Sequence, residues 1–253
     1  MMDYINIPVE LCRYTLTNHK VSQVRLFIYL KTICSGQFKL SDDKIKSICN
    51  NLNYKTPKTF KVHFNWLLKQ EWITINGKSG YYKIKGFIPL ANKLKLKSVR
   101  GAIFEPLDFT AFKPFIIAAV ITYYMNYRSR NERLSECLTG RPKKYRLSPA
   151  FFSLPHLYLA KILNISKSLA ATYRNLAINA GFIKVKRRLN KLPIPLIEKN
   201  NYKKYFASEK QNIRVINKAL YEQLNDELIS NVILRTKNNL KKNLKKNGKK
   251  LYR

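Results

Sequence analysis

Lys167, Ser168, Thr172, Asn175 and Asn179 fall on one side of a helix-length segment, with Ala171 among them and Arg174 at the flank. Hydroxyls and carboxamides both give and take hydrogen bonds, and lysine and arginine add fixed positive charge. Such a set recognises a ligand; it does not make or break bonds. The surrounding composition indicates what is recognised. Between 137 and 197 there is no Asp or Glu, against twelve Lys or Arg. Between 44 and 100 the only acid is Glu71, against thirteen basic residues. Both stretches point to a polyanionic partner.

The whole chain of 253 residues carries a formal net charge of +35. Solubility needs only about 2–8 charges on a small domain, and self-repulsion opposes compaction. A Lys- and Asn-rich compositional bias would raise the charge everywhere. It would not align two acid-poor stretches with repeated helical patterns. Hydrophobic residues make up 45%, enough for real cores.

The elements that must position these groups follow from periodicity and punctuation. Apolar residues at 24, 27, 28, 30 and 33 make a first helix over 22–34, ended by Gly36. Ser41 caps a second helix with Asp42 and Asp43 in its first turn and Ile45, Ile48, Cys49 and Leu52 as its stripe. Asn53, Tyr54 and Lys55 form a turn. Thr56-Pro57 then opens a third helix with Phe60, Phe64, Leu67 and Leu68 inward. Lys58, Thr59, Val62, His63 and Trp66 lie away from that face, and Trp66 there suggests contact with a neighbouring domain. Residues 72–75 and 81–85, around Asn76-Gly77-Lys78-Ser79-Gly80, read as a hairpin.

The second half repeats the order. Residues 4–11 and 89–110 are expected as extended and connecting segments. An apolar helix covers 113–127, and 128–147 is a polar, basic insertion. Leu157, Ala160 and Leu163 pattern a short helix, Asn164-Ile165 a turn, and Ser166 the cap of the next helix. That helix turns Leu169, Ala170, Tyr173, Leu176, Ala177 and Ala180 inward, and Gly181 stops it. A basic strand follows at 182–188. Ile213, Val215 and Ile216 favour a strand closing the second hairpin, and Leu220, Leu224 and Leu228 favour a helix after it.

Helix, helix, helix, hairpin is the order of a winged helix-turn-helix domain. The run Leu159-Ala160-Lys161-Ile162-Leu163-Asn164-Ile165-Ser166-Lys167-Ser168 resembles a bacterial helix-turn-helix, departing from it in Asn164 where Gly is common. The expected fold class is therefore mainly α with small β-hairpin wings (α+β), with two winged helix-turn-helix domains in tandem. Their bounds are 1–88 and 113–234, with a basic linker at 89–112 and a basic tail at 235–253. In architecture and length such a chain resembles the replication initiators of plasmids and phages. A transcriptional regulator needs the same residues. A protein that coats DNA without sequence preference and an RNA-binding protein remain open.

The resemblance implies duplex DNA as partner, with Ser168, Thr172 and Asn175 on base edges and Lys167 and Arg174 on phosphates. Lys58, Thr59 and His63 are the matching residues of the first unit. Lys78 in the first wing and Lys186, Arg187 and Arg188 in the second would lie along phosphates or the minor groove. Gly140-Arg141-Pro142-Lys143-Lys144 resembles part of an AT-hook, with Thr139 where an Arg is usual. A dimer and replication or transcription machinery are further partners this reading admits.

No Gly-rich phosphate loop, nucleophile elbow or metal-ligand spacing occurs. The expectation is a non-enzyme without cofactor or metal. The four cysteines lack C-x-x-C spacing, which suits a reduced, cytoplasmic, nucleoid-associated protein. The longest apolar run, 115–125, is far shorter than the roughly twenty residues that cross a bilayer, so no membrane is expected.

Overall fold

The computed structural model describes residues 4–34, 36–96, 100–105, 109–138, 151–152, 154–186, 189–191, 213–216, 219–223 and 227–236. The fold is mainly helical with small antiparallel sheets.

The chain begins with strand β1 (Ile5–Pro8), whose Ile5 and Ile7 are buried in alternation, and turns at Pro8 into α1 (Val9–Thr17). The expectation of an extended segment over 4–11 holds only as far as Pro8. Val9, Cys12 and Leu16 share a helical stripe and are all buried. Helix α2 (Val21–Ile33) runs to Cys34, and the chain reverses at Gly36, whose φ of +104° suits glycine. After the short strand β2 (Gln37–Phe38) come α3 (Asp42–Asn51) and α4 (Pro57–Lys69). Strands β3 (Ile73–Ile75) and β4 (Tyr82–Ile84) then pair as the expected hairpin, and β2 joins the free edge of β4. Phe27, Phe60, Leu67 and Trp72 are the large side chains sealed between α2, α4 and the start of this hairpin.

The region read as a linker carries secondary structure. Helix α5 (Phe87–Lys93) and strand β5 (Arg100–Phe104) lie there, followed by a 3-10 turn at Phe109–Ala111. β5 is the centre of a sheet with β1 on one side and β12 (Leu234–Thr236) on the other. At Gly101 the Asn6 side chain fills the space that a side chain would need. A Cβ there would sit 2.0 Å from Asn6 Oδ1.

Helix α6 runs Phe112–Leu138, past the expected end at 127. Its first half holds a run, 115–121, that is apolar all round and buried, as befits a central helix. Arg, Glu and Leu are good helix formers, so 128–138 continues the helix rather than opening an insertion. Helix α6 packs against α1 and against α8 (Lys167–Asn179), which follows α7 (His156–Leu163). Strands β6 (Phe151–Phe152), β7 (Ile183–Lys186) and β11 (Glu227–Ser230) form one sheet with β11 central. Strands β8 (Leu189–Lys191), β9 (Ile213–Ile216) and β10 (Ala219–Gln223) form another with β10 central.

The helix expected around Leu220, Leu224 and Leu228 is not what forms: 219–223 and 227–230 are strands. Leu228 sits opposite both Phe152 and Val185 and is fully buried. Pairing on two sides outweighs the i, i+4, i+8 spacing that suggested a helix. Among the described residues, no helix is long and apolar enough to cross a membrane.

Candidate nucleic-acid interface

Two helices, α4 and α8, are built alike at their starts. Before α8, Asn164 takes the left-handed conformation at φ +52° and closes α7. Ser166 then caps α8, its Oγ accepting the Leu169 N–H at 3.2 Å. Before α4, Asn53 is left-handed at φ +50°, and Thr56 Oγ1 accepts the Thr59 N–H at 3.4 Å ahead of Pro57. Ser41 caps α3 in the same way, through the Lys44 N–H. The two turns join α3 to α4 and α7 to α8, and the helices of each pair pack together.

On α8, Lys167, Ser168, Thr172, Asn175 and Asn179 are exposed and Ala171 half-exposed. The Thr172 hydroxyl donates to the Ser168 carbonyl at 3.1 Å, and Ser168 Oγ lies 3.0 Å from Ser166 Oγ. Ala170, Tyr173 and Ala177 are buried as expected. Leu157 on α7, expected inward, is 69% exposed; Leu159 takes the core position with Ala160 and Leu163.

Arg174 is not at the surface. It is 9% exposed, within the stripe of Ala170, Tyr173 and Ala177, and its Nη1 lies 3.3 Å from His156 Nε2. Arginine has only donors, so His156 Nε2 accepts. Arg174 sits one turn beyond Ala170, and this spacing carries it inward. The expected phosphate contact is replaced by a tie between α8 and the first residue of α7. Lys113 covers the neighbouring Tyr173 ring at 5.2 Å.

On α4, Lys58, Lys61, Val62, Asn65 and Lys69 are exposed and Thr59 half-exposed. His63 departs from the expectation. It is half-buried against Tyr54, ring to ring at 5.5 Å, and its Nδ1 is buried. Burial, with the Arg25 guanidinium nearby, holds its pKa below the ordinary histidine value. Arg25 itself lies over the Tyr54 ring and donates to the Leu52 carbonyl at 2.9 Å, tying α2 to the turn before α4. Trp66 packs edge-on against Trp72 at 5.3 Å, with Lys20 over its ring. Its neighbour thus lies within the same half of the chain, not in another domain.

Lys78 is exposed at the tip of the first hairpin, where its N–H donates to Asn76 Oδ1 at 3.1 Å. Lys83 on β4 and Lys184 and Lys186 on β7 are exposed as well. Arg141, Lys143, Lys144, Arg187 and Arg188 lie outside the described residues. Other cations serve the fold: Lys31 lies over Phe27 and Phe87, Arg100 over Tyr123 and Arg128 over Tyr158. Val62 is outward as expected, and Lys61 and Asn65 are additional outward residues of α4. Their spacing after the Thr56 cap was the signal available for them, and it was obscured by placing His63 on the same face.

Cys12 and Cys49 are buried, and burial pushes both thiols up. Among the described residues no group of His, Cys, Asp and Glu is arranged to hold a metal ion. Comparison with known protein families, curated proteins and solved structures yields no match.

Proposed function

We propose that the chain binds double-stranded DNA sequence-specifically through two winged helix-turn-helix units in tandem, and that it acts as the replication initiator of a plasmid, phage or other mobile element. The observation that carries the reading is the exposed polar stripe of α8, Lys167, Ser168, Thr172, Asn175 and Asn179, behind a capped turn and ahead of a basic strand. A B-form major groove admits one α-helix and offers its polar groups a base-specific pattern. The A-form RNA groove is too narrow for it. Ser168, Thr172 and Asn175 then meet base edges, and Lys167 sets the helix on phosphate. Lys58 and Thr59 do the same for α4. Lys78, Lys186, Arg187 and Arg188 follow the backbone, and the basic run 140–144 adds positive charge toward it. The net charge of +35 draws the protein to the nucleoid.

The test is selection of bound sequences from a random duplex library at physiological salt, using the full chain. A recovered motif supports sequence-specific reading. Binding without enrichment, lost steeply as salt rises, refutes it and leaves a DNA-coating protein. Mapping the motif separates the roles: copies iterated beside an A·T-rich segment fit an initiator, and isolated sites over promoters replace it with a transcriptional regulator.

A further inference from the structure

Helices α4 and α8 are both 13 residues long and both follow a hydroxyl cap. Placed in register, Thr56 corresponds to Ser166, Lys58 to Ser168, Val62 to Thr172 and Asn65 to Asn175. All of these are exposed. The sixth helical residue is β-branched in each, and the ninth is asparagine in each. The inner faces are less alike: Phe60 and Phe64 stand where Ala170 and Arg174 do and Leu67 where Ala177 does, with Leu68 and Ile178 the one similar pair. The one residue identical in both helices, the asparagine, lies on the outward stripe.

Valine and threonine are near-isosteres that differ in a methyl against a hydroxyl. The Thr172 hydroxyl donates its hydrogen to the Ser168 carbonyl of its own helix, at 3.1 Å. With that hydrogen engaged the hydroxyl can only accept, and the group Thr172 has in common with Val62, which is 58% exposed, is its methyl. In a major groove a methyl meets the thymine 5-methyl, and an asparagine amide pairs with adenine N6 and N7. Guanine is most often read by arginine or lysine, and the lysines of the two helices do not coincide in register: Lys58 and Lys61 stand where Ser168 and Ala171 do. The one arginine in these two helices, Arg174, is buried.

We propose that both helices read the same thymine- and adenine-containing element, Val62 and Thr172 against a thymine methyl and Asn65 and Asn175 against an adenine, so that the DNA target carries this element twice. The inference rests on the DNA-binding reading above and adds the identity of the bases and the equivalence of the two readers.

The experiment starts from the motif selected by the full chain. Thymines in each copy are replaced by deoxyuridine, which removes the 5-methyl and keeps base pairing. Affinity is measured for the wild type and for Val62→Ala, Thr172→Ser, Thr172→Val, Asn65→Ala and Asn175→Ala, with thermal unfolding as a check on folding. Uracil in either copy should weaken wild-type binding about fourfold, the worth of one buried methyl-sized group. Thr172→Ser should weaken it similarly and become indifferent to uracil in its own copy, whereas Thr172→Val should match the wild type. Each asparagine change should cost about tenfold and relax selection at one base pair.

A selected motif lacking a repeated thymine–adenine element overturns the inference. So does uracil that leaves affinity unchanged. In those cases the DNA-binding reading stands; if no sequence is selected at all, both fall.

Discussion

Arg174→Ala should unfold the protein more readily instead of merely loosening a hold on phosphate. The guanidinium is buried between α8 and α7, 9% exposed and bonded to His156. Truncation removes two stem methylenes, Cγ and Cδ, from the interior, about 0.8 kcal/mol each, and a charge-assisted hydrogen bond worth about 1.5–3 kcal/mol. Release of the cation from a buried site returns part of its desolvation cost. The balance is a loss of about 2–3 kcal/mol, which for a chain of this size lowers the melting temperature by about 4–12 °C. Arg174→Met keeps an apolar stem and should recover up to about half of that loss, since the methylenes supply at most about half of the gross stabilisation. Circular dichroism melts give the stability, and DNA affinity as a function of salt gives the ionic contacts. A wild-type melt for Arg174→Ala, with a salt slope reduced by about one, would mean that the arginine reaches phosphate and that its placement here is wrong.

Gly101→Ala drives a methyl into Asn6 Oδ1, 2.0 Å away, and should cost about 1–3 kcal/mol in denaturant unfolding. Asn6→Ala in the same chain should return most of it, and no recovery would place the strain elsewhere. Asn164 holds a left-handed turn at φ +52°, so Asn164→Val should destabilise by about 1–2 kcal/mol while Asn164→Gly stays near neutral; equal effects would argue against the turn. His63 has a folded-state pKa lowered by burial and by Arg25. The unfolded chain therefore takes up a proton near pH 6.5 that the folded chain resists, and stability falls as pH drops from there through the lower folded value. In His63→Gln that part of the acid loss should disappear from pH-dependent melts; an unchanged slope would put its origin in other groups.

What was legible in the sequence was local. Ser41, Thr56 and Ser166 announce helix starts because a hydroxyl there satisfies an orphan N–H a few residues on. Asn164 and Gly181 announce ends because few residues accept positive φ. The outward stripe of α8 follows from those ends and a 3.6-residue period. What stayed hidden depended on distant partners. Arg174 has the spacing of the inner stripe but the chemistry of a surface residue, and His156 at the start of α7 supplies the partner that suits it to the interior. His63 goes inward because Tyr54 and Arg25 fill that side of α4. Strand β5 has no visible motif, and its reason to be a strand is β1, far earlier, and β12, far later. The spacing of leucines at 220, 224 and 228 fits a helix, but β9 pairs with the strand that holds Leu220, and β6 and β7 with the one that holds Leu228.

Those distant contacts bear on how two readers would meet one DNA. Residues of both halves belong to one buried cluster. Tyr29 on α2 meets Phe109 edge-on at 5.2 Å, α1 packs on α6, and α6 packs on α8. The sheet β1-β5-β12 then joins the first of the described strands to the last of them. Helices held through a common core cannot swing on a tether, so the separation of their two DNA elements should be fixed. Inserting about five base pairs between the elements, half a helical turn, turns one of them to the far side of the duplex. Affinity should then fall to that of a duplex with a single element, and inserting about ten should not restore it, because the second element, though facing correctly, lies a full turn too far. A flexible connection would predict tolerance of both insertions, measured as unchanged affinity by electrophoretic shift or anisotropy, and that result would contradict a rigid joint.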